Sequence, residues 1–265
     1  MSFLAPRFRL RLFAAALTSL VVPGAVFAQA QPTVAAASDL KFALEAVAAR
    51  FERETGQRAP RLVFGSSGQF AAQLLQGAPF HLFLSADEAY VFKLADAGLT
   101  HDRGRLYAIG RIGIFVPKGS ALKADGELQD LKAALGDGRL RKFAIANPDH
   151  APYGARAREA LQHAGLWPAI VPRLVLGENI SQAAQFAASG SAEGGIVALS
   201  LAQAPALAQH GHFALIPATW HQPLRQRMVL MKGAPPSARA FHDYLISPAA
   251  QQLLREHGFE LPSAP

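Results

Sequence analysis

TVAAASDLKFALEAVAARFERETG (residues 33–56), RLVFGSSGQFAAQLLQG (61–77) and HLFLSADEAYVFKLADAGL (81–99) carry one pattern three times in succession. Each opens on a short apolar run, turns through small or hydroxylated residues, and continues with apolar residues at helical spacing. In the first, Leu40, Leu44, Val47 and Phe51 recur three or four apart until Gly56 ends the series. Strand followed by helix, repeated, predicts a mostly parallel sheet with helices packed on it.

Further along, YAIGRIGIFVPKGS (107–120) is a long apolar run without a helix of its own and reads as a crossover between domains. A second strand–helix series begins at RKFAIANP (141–148). It continues through a helix at 155–164, whose Ala157, Ala160, Leu161 and Ala164 share one face, then RLVLGENISQAAQFAASG (173–190) and EGGIVALS (193–200). FALIPATW (213–220) and QRMVLMKG (226–233) are strand-like and can carry the chain back. The end reads as two helices, 237–246 and 248–256, with Ser237 and Ser247 as N-caps, Pro248 in the first turn and Gly258 past the end. The expected architecture is therefore α/β in two lobes joined by a hinge, residues 29–112 with 225–265 forming one lobe and 113–224 the other. A ligand cleft is expected at the carboxyl ends of the strands.

Of 265 residues, 51% are hydrophobic and 17% charged, a composition that excludes disordered, collagen-like and coiled-coil classes. Arg7, Arg9 and Arg11 precede the apolar run Leu12 to Val22, followed by Pro23, Gly24 and a small-residue end at Ala28. That order is the signature of a secretory signal peptide, expected at 1–28 with cleavage after Ala28. Its eleven-residue core is shorter than the roughly 20 residues that span a bilayer. Without it, 23 basic side chains face 19 acidic ones, a net charge of only +4. No Lys/Arg cluster suggests nucleic acid. With no cysteine in the chain, disulfides, thiolate metal sites and a lipid-anchored start are excluded, and a free periplasmic protein is expected.

Four segments place small or hydroxylated residues where a strand meets a helix: AAASDL (35–40), FGSSGQF (64–70), HAPYGAR (150–156) and GENISQ (177–182). Helix N-termini expose unpaired N–H groups and carry about half a positive charge, so they attract anions. Ser38 and Ser67 add hydroxyl donors, Gly65 and Gly68 permit close approach, and Pro152 suits a first turn. Singly, each segment is an ordinary cap. Together, two to a lobe, they favour an oxyanion site. The histidines at 210, 212 and 221 lack the convergent spacing of a metal site. FGSSG is not a nucleophile elbow, and neither HExxH nor a P-loop occurs. His81 and the tryptophans read as structural.

These segments, with GAPFHLFLSAD (77–87), ANPDHAPYGARAREAL (146–161), ENISQA (178–183), GGIVALS (194–200) and YLISPAAQQLLREHGF (244–259), resemble the periplasmic molybdate-binding proteins of ABC transporters, the ModA family. The resemblance covers nearly the whole chain after residue 28 and implies a two-lobed type II binding-protein fold closing on a tetrahedral oxyanion. Carried over by motif, Ser38 and Ser67 supply hydroxyls, while Tyr153 and Ile180 supply main-chain N–H groups. Asp39 belongs to the same wall, with its side chain expected to turn away and cap the helix. Molybdenum would be held only as its oxyanion, without a cofactor or catalytic residue. The resemblance implies a monomer that binds molybdate and tungstate and serves a membrane permease with its ATPase. One departure stands out: family members carry a tyrosine where GIVALS has Ala198, and the Tyr153 ring hydroxyl is a candidate replacement. Two alternatives remain: a receptor for sulfate or another oxyanion, and a secreted serine hydrolase using Ser67 with a histidine.

Overall fold

The computed structural model describes residues 1–3 and 31–262. The signal peptide expected at 1–28 lies outside the described residues, apart from its first three. The first lobe runs β1 (Thr33–Ala37), a 3-10 turn (Ser38–Leu40), α1 (Lys41–Thr55), β2 (Arg61–Gly65), α2 (Ser67–Leu75), β3 (Leu82–Ser85), α3 (Glu88–Asp96) and β4 (Arg105–Gly110). After crossing, the chain forms β5 (Ile112–Pro117), α4 (Gln129–Asp137), β6 (Phe143–Ala146), α5 (Pro152–His163), α6 (Trp167–Ile170), β7 (Leu174–Gly177) and α7 (Ile180–Ala188). The second lobe ends with β8 (Gly194–Ala198), α8 (Leu199–Ala202), α9 (Pro205–Ala208) and β9 (Gly211–Leu215). The return supplies β10 (Leu224–Leu230), α10 (Pro236–Tyr244) and α11 (Pro248–Glu256).

Two five-stranded sheets result, ordered β2-β1-β3-β10-β4 and β7-β6-β8-β5-β9. Strands β1, β2 and β3 run parallel, as do β6, β7 and β8; β10 lies antiparallel between β3 and β4, and β5 between β8 and β9. Alternation along β1 divides the first lobe's core. Val34 and Ala36 pack with α1, α10 and α11 residues on one face, while Ala35 packs with Phe70, Leu74 and Val91 on the other. Beneath α5 and α7, a second core gathers Phe143, Ile145, Leu161, Ala183 and Ile196.

The crossings are tighter than the sequence suggests. YAIGRIGIFVPKGS crosses between the sheets as two strands, β4 and β5, parted by Arg111 alone. FALIPATW is strand only as far as Leu215: Pro217 lacks a donor for a ladder, and Ala218–Trp220 form a 3-10 turn. β9 thus stays in the second sheet, and residues 216–223 return the chain. Ser237 is not a cap. Pro236 already suits the first helical position, so the helix starts earlier and leaves the Ser237 hydroxyl buried without a partner. Ser247 does cap α11, accepting from the Ala250 N–H at 3.2 Å, and Gly258 beyond that helix takes φ +83°.

Candidate functional site

Four strand ends from the two sheets face one another, and the chain leaving each enters a helix. Ser38 and Asp39 follow β1, Ser66 and Ser67 follow β2, Tyr153 stands in the first turn of α5 after β6, and Asn179 and Ile180 follow β7. All seven residues line one cavity. Ser38, Asp39, Ser67, Tyr153 and Ile180, picked out in separate motifs, thus share a wall drawn from both lobes.

The donors differ in how they are engaged. Ser67 is fully buried and its Oγ accepts from the Ala86 N–H at 3.0 Å, leaving its O–H without an acceptor among the described residues. Ser38 Oγ donates to Asn179 Oδ1 at 3.1 Å and accepts from the Ser181 N–H at 3.3 Å. Tyr153 and Ile180 stand in the first turns of α5 and α7, where the helix itself offers their N–H groups no carbonyl. The N-termini of α2, α5 and α7 converge here, adding their positive dipole ends. No Lys or Arg lines the cavity.

The lobes touch around this cavity, which measures about 10 Å³, roughly the room of one water. The Ser181 hydroxyl donates to Ser38 O at 2.9 Å, and the Gly68 N–H to His150 O at 3.0 Å. The Ser66 hydroxyl donates to the same His150 carbonyl, and Gln69 Nε2 donates to Glu178 Oε2 at 2.7 Å. A Cβ on Gly68 would stand 2.5 Å from His150 O, so only glycine allows this approach.

Asp39 departs from expectation. It caps nothing: Ala37 holds the N-cap position of the 3-10 turn, and no side-chain cap bond forms. One carboxylate oxygen turns instead toward the hinge, Oδ2 accepting from the Tyr153 hydroxyl at 2.9 Å and from the Gln226 amide. Tyr107 completes the group, its hydroxyl donating to Gln226 Oε1 at 2.8 Å. Asp39 is 1% exposed, and its Oδ1 has no hydrogen-bond partner among the described residues. Burial pushes its carboxyl up to about 6, against the lowering effect of the Gln226 and Tyr153 bonds and the nearby N–H groups of Asp39 and Leu40. The Tyr153 hydroxyl thus gives its single proton to Asp39, and Ala198, where the family tyrosine would stand, is buried at the end of β8.

Several participants escaped the sequence reading. Gln226 is fully buried, but in sequence it stands between Arg225 and Arg227 and gave no sign of burial. Asn179 was visible only as a cap, and its Oδ1 does accept from the Gln182 N–H at 3.1 Å while also meeting Ser38. The His150 carbonyl gave no signal. His81 is structural as read, its Nδ1 accepting from the Thr33 N–H at 3.0 Å. Two wider hollows lie elsewhere. One, of about 420 Å³, is lined by mainly apolar residues such as Phe42, Ala184 and Leu207. In the other, of about 560 Å³, Arg139 and Arg141 are paired with Asp137 and Glu193. Neither gathers strand ends from both sheets.

Residues 32–260 match the family of bacterial extracellular solute-binding proteins. The molybdate-binding protein ModA of Azotobacter vinelandii is 36% identical over 235 residues, covering 88% of this chain and 90% of that protein. This chain belongs to the ModA family. A second ModA-family relative, the molybdate-binding protein of Rhodobacter capsulatus, is 37% identical, covering 80% and 81% of the two chains. The solved structure of the Azotobacter vinelandii periplasmic molybdate-binding protein superposes with a TM-score of 0.79 at 31% identity, spanning 88% of this chain and all of that one. The two-lobed α/β architecture is thus the ModA-family fold.

Proposed function

We propose that this chain captures molybdate, with tungstate as a second ligand, and delivers it to a membrane permease and its ATPase. One observation carries the reading: neutral donors from both lobes converge on a cavity without a cation in its wall. Molybdate, tungstate and sulfate are dianions at neutral pH and only accept hydrogen bonds. The Ser38 and Ser67 hydroxyls and the N–H groups of Tyr153 and Ile180 would hold such an ion without burying a fixed counter-charge. Every contact would be to an oxygen of the ion, none to the metal. The relatives named above bind molybdate, which supports that ion over sulfate.

A four-oxygen ion is larger than the present cavity, so seating it requires Ser38 to turn from Asn179 and the lining side chains to shift. The lobes, residues 29–112 with 225–265 against 113–224, would swing about the crossings at 107–117 and 215–230, with ligand bonds to both lobes favouring closure. In this reading the chain is a monomeric receptor, exported to the periplasm by cleavage after Ala28, whose work is capture and release without bond chemistry.

Thermal unfolding of the chain from Gln29, with molybdate, tungstate, sulfate and phosphate in turn, tests this. Ligand at 1,000 times its Kd stabilises by about 4.1 kcal/mol, or roughly 8 to 16 °C for a chain of this size. Shifts with molybdate and tungstate alone are expected. A shift with sulfate alone would move the ligand assignment, and no shift with any anion, together with turnover of an ester, would replace the receptor with the hydrolase.

A further inference from the structure

A buried carboxylate in the wall of an anion site is a contradiction unless its charge is removed. Both side-chain donors reaching Asp39 meet Oδ2, the N–H groups of Asp39 and Leu40 lie near the carboxylate, Oδ1 is buried without a hydrogen-bond partner among the described residues, and Asp39 lines the cavity beside Ser38. Among the described residues no cation is paired with it. α5 brings Tyr153 and β4 brings Tyr107, two phenols that burial and the Asp39 charge keep protonated. From β10 comes the neutral amide of Gln226, whose neighbours Arg225 and Arg227 are held by Glu88 at 2.6 and 2.8 Å. Lys41 of α1 is paired with Glu45 at 2.9 Å, and the α8 hydroxyl of Ser200 meets only the Asp39 main-chain oxygen. His150 and Glu178 lie among the contacts that join the two lobes.

We propose that capture protonates Asp39: as the anion enters, a proton from solvent binds Oδ1, and the neutral acid donates that O–H to an anion oxygen instead of repelling it. The proposal rests on the oxyanion reading of the site and adds a donor to it. The proton is taken from water or buffer, no other bond changes, and release of the anion returns it. Burial has already brought the carboxyl to about 6, and a nearby dianion that raises it well above 7 keeps it protonated at neutral pH. An ionised Asp39 would have the opposite consequence, accepting the proton of hydrogen phosphate and selecting for that anion.

The test is calorimetric titration with sodium molybdate at pH 7 in buffers of different ionisation enthalpy, which counts protons exchanged. Nearly one proton taken up per anion is expected, with affinity falling about tenfold per pH unit above about pH 6. Asp39→Asn should bind without proton uptake and with a flat pH profile, while His150→Gln should retain the uptake. Infrared difference spectra of the unaltered chain should gain a carboxylic-acid C=O band on binding, a readout that does not depend on the variant folding. Molybdate binding with no proton uptake, uptake that survives Asp39→Asn, or a preference for hydrogen phosphate would each overturn the proposal while leaving an oxyanion receptor standing. If molybdate, tungstate, sulfate and phosphate all fail to bind the unaltered chain, the receptor reading itself falls, and the proposal with it.

Discussion

Ser67 and Ser38 look equivalent in sequence, each a serine at a strand-to-helix turn, but their surroundings differ. Ser67 already accepts from the Ala86 N–H, so its hydroxyl is oriented with its proton uncommitted. Ser38 must exchange Asn179 for the ligand. Loss of a bond to a charged group costs about 1.5–3 kcal/mol, so Ser67→Ala should weaken molybdate binding roughly 10- to 150-fold. Ser38→Ala should cost less, because its hydroxyl gives up one bond to gain another. Titration calorimetry of the two variants checks the order, and equal affinities for both variants and parent would remove these hydroxyls from the site. Both serines were legible because a hydroxyl at a helix start is a local pattern. The partners that distinguish them lie 19 and 141 residues away and were not.

Among the elements, α2 matters most for closure. Its first turn presents the Gly68 N–H to His150 O, just before α5, with no space for a side chain. Gly68→Ala would place a methyl group against that carbonyl and hold the lobes apart, while within its own lobe the methyl would meet the Tyr90 hydroxyl at 2.9 Å, the far end of a side chain that can shift. Anion affinity is therefore expected to fall by at least about tenfold, a cost of about 1.4 kcal/mol, with the unliganded Tm changed little. Calorimetry beside thermal unfolding separates these effects; a lowered Tm with unchanged affinity would show that the contact stabilises the fold rather than closure. The repeated strand–helix units followed from apolar period and punctuation, with α1 ending at Gly56, whose φ of +69° suits a left-handed cap, whereas α4, α6, α8 and α9 were not read. Where boundaries moved, proline was responsible: Pro152 and Pro236 start helices earlier than the apolar periodicity indicated.

Across the whole molecule, Asp39, Gln226 and Tyr107 of one lobe meet Tyr153 of the other in a fully buried group at the hinge. Its titration belongs to global stability. An unfolded Asp titrates near 3.8, whereas the folded one is raised to about 6, so the folded chain binds the extra proton between those values. Stability from this group is greatest below about pH 4 and is lost as pH rises through about 6, by about 3 kcal/mol in the unliganded chain. Urea unfolding from pH 4 to 7.5 should show this fall, and Asp39→Asn should reduce the slope; an unchanged slope would place the titration elsewhere. By itself, the sequence determined the strand–helix units, the two lobes, the serines and helix starts of the candidate site and the family, because periodicity, capping and motif are properties of neighbouring residues. Only the tertiary structure decided that Arg111 alone parts β4 from β5, that Tyr153 gives its hydroxyl to Asp39, and that Gln226 lies beside a buried carboxylate. Those pairings join residues more than a hundred positions apart or depend on which sheet a strand enters, and no local pattern encodes the direction in which a buried side chain finds its partner.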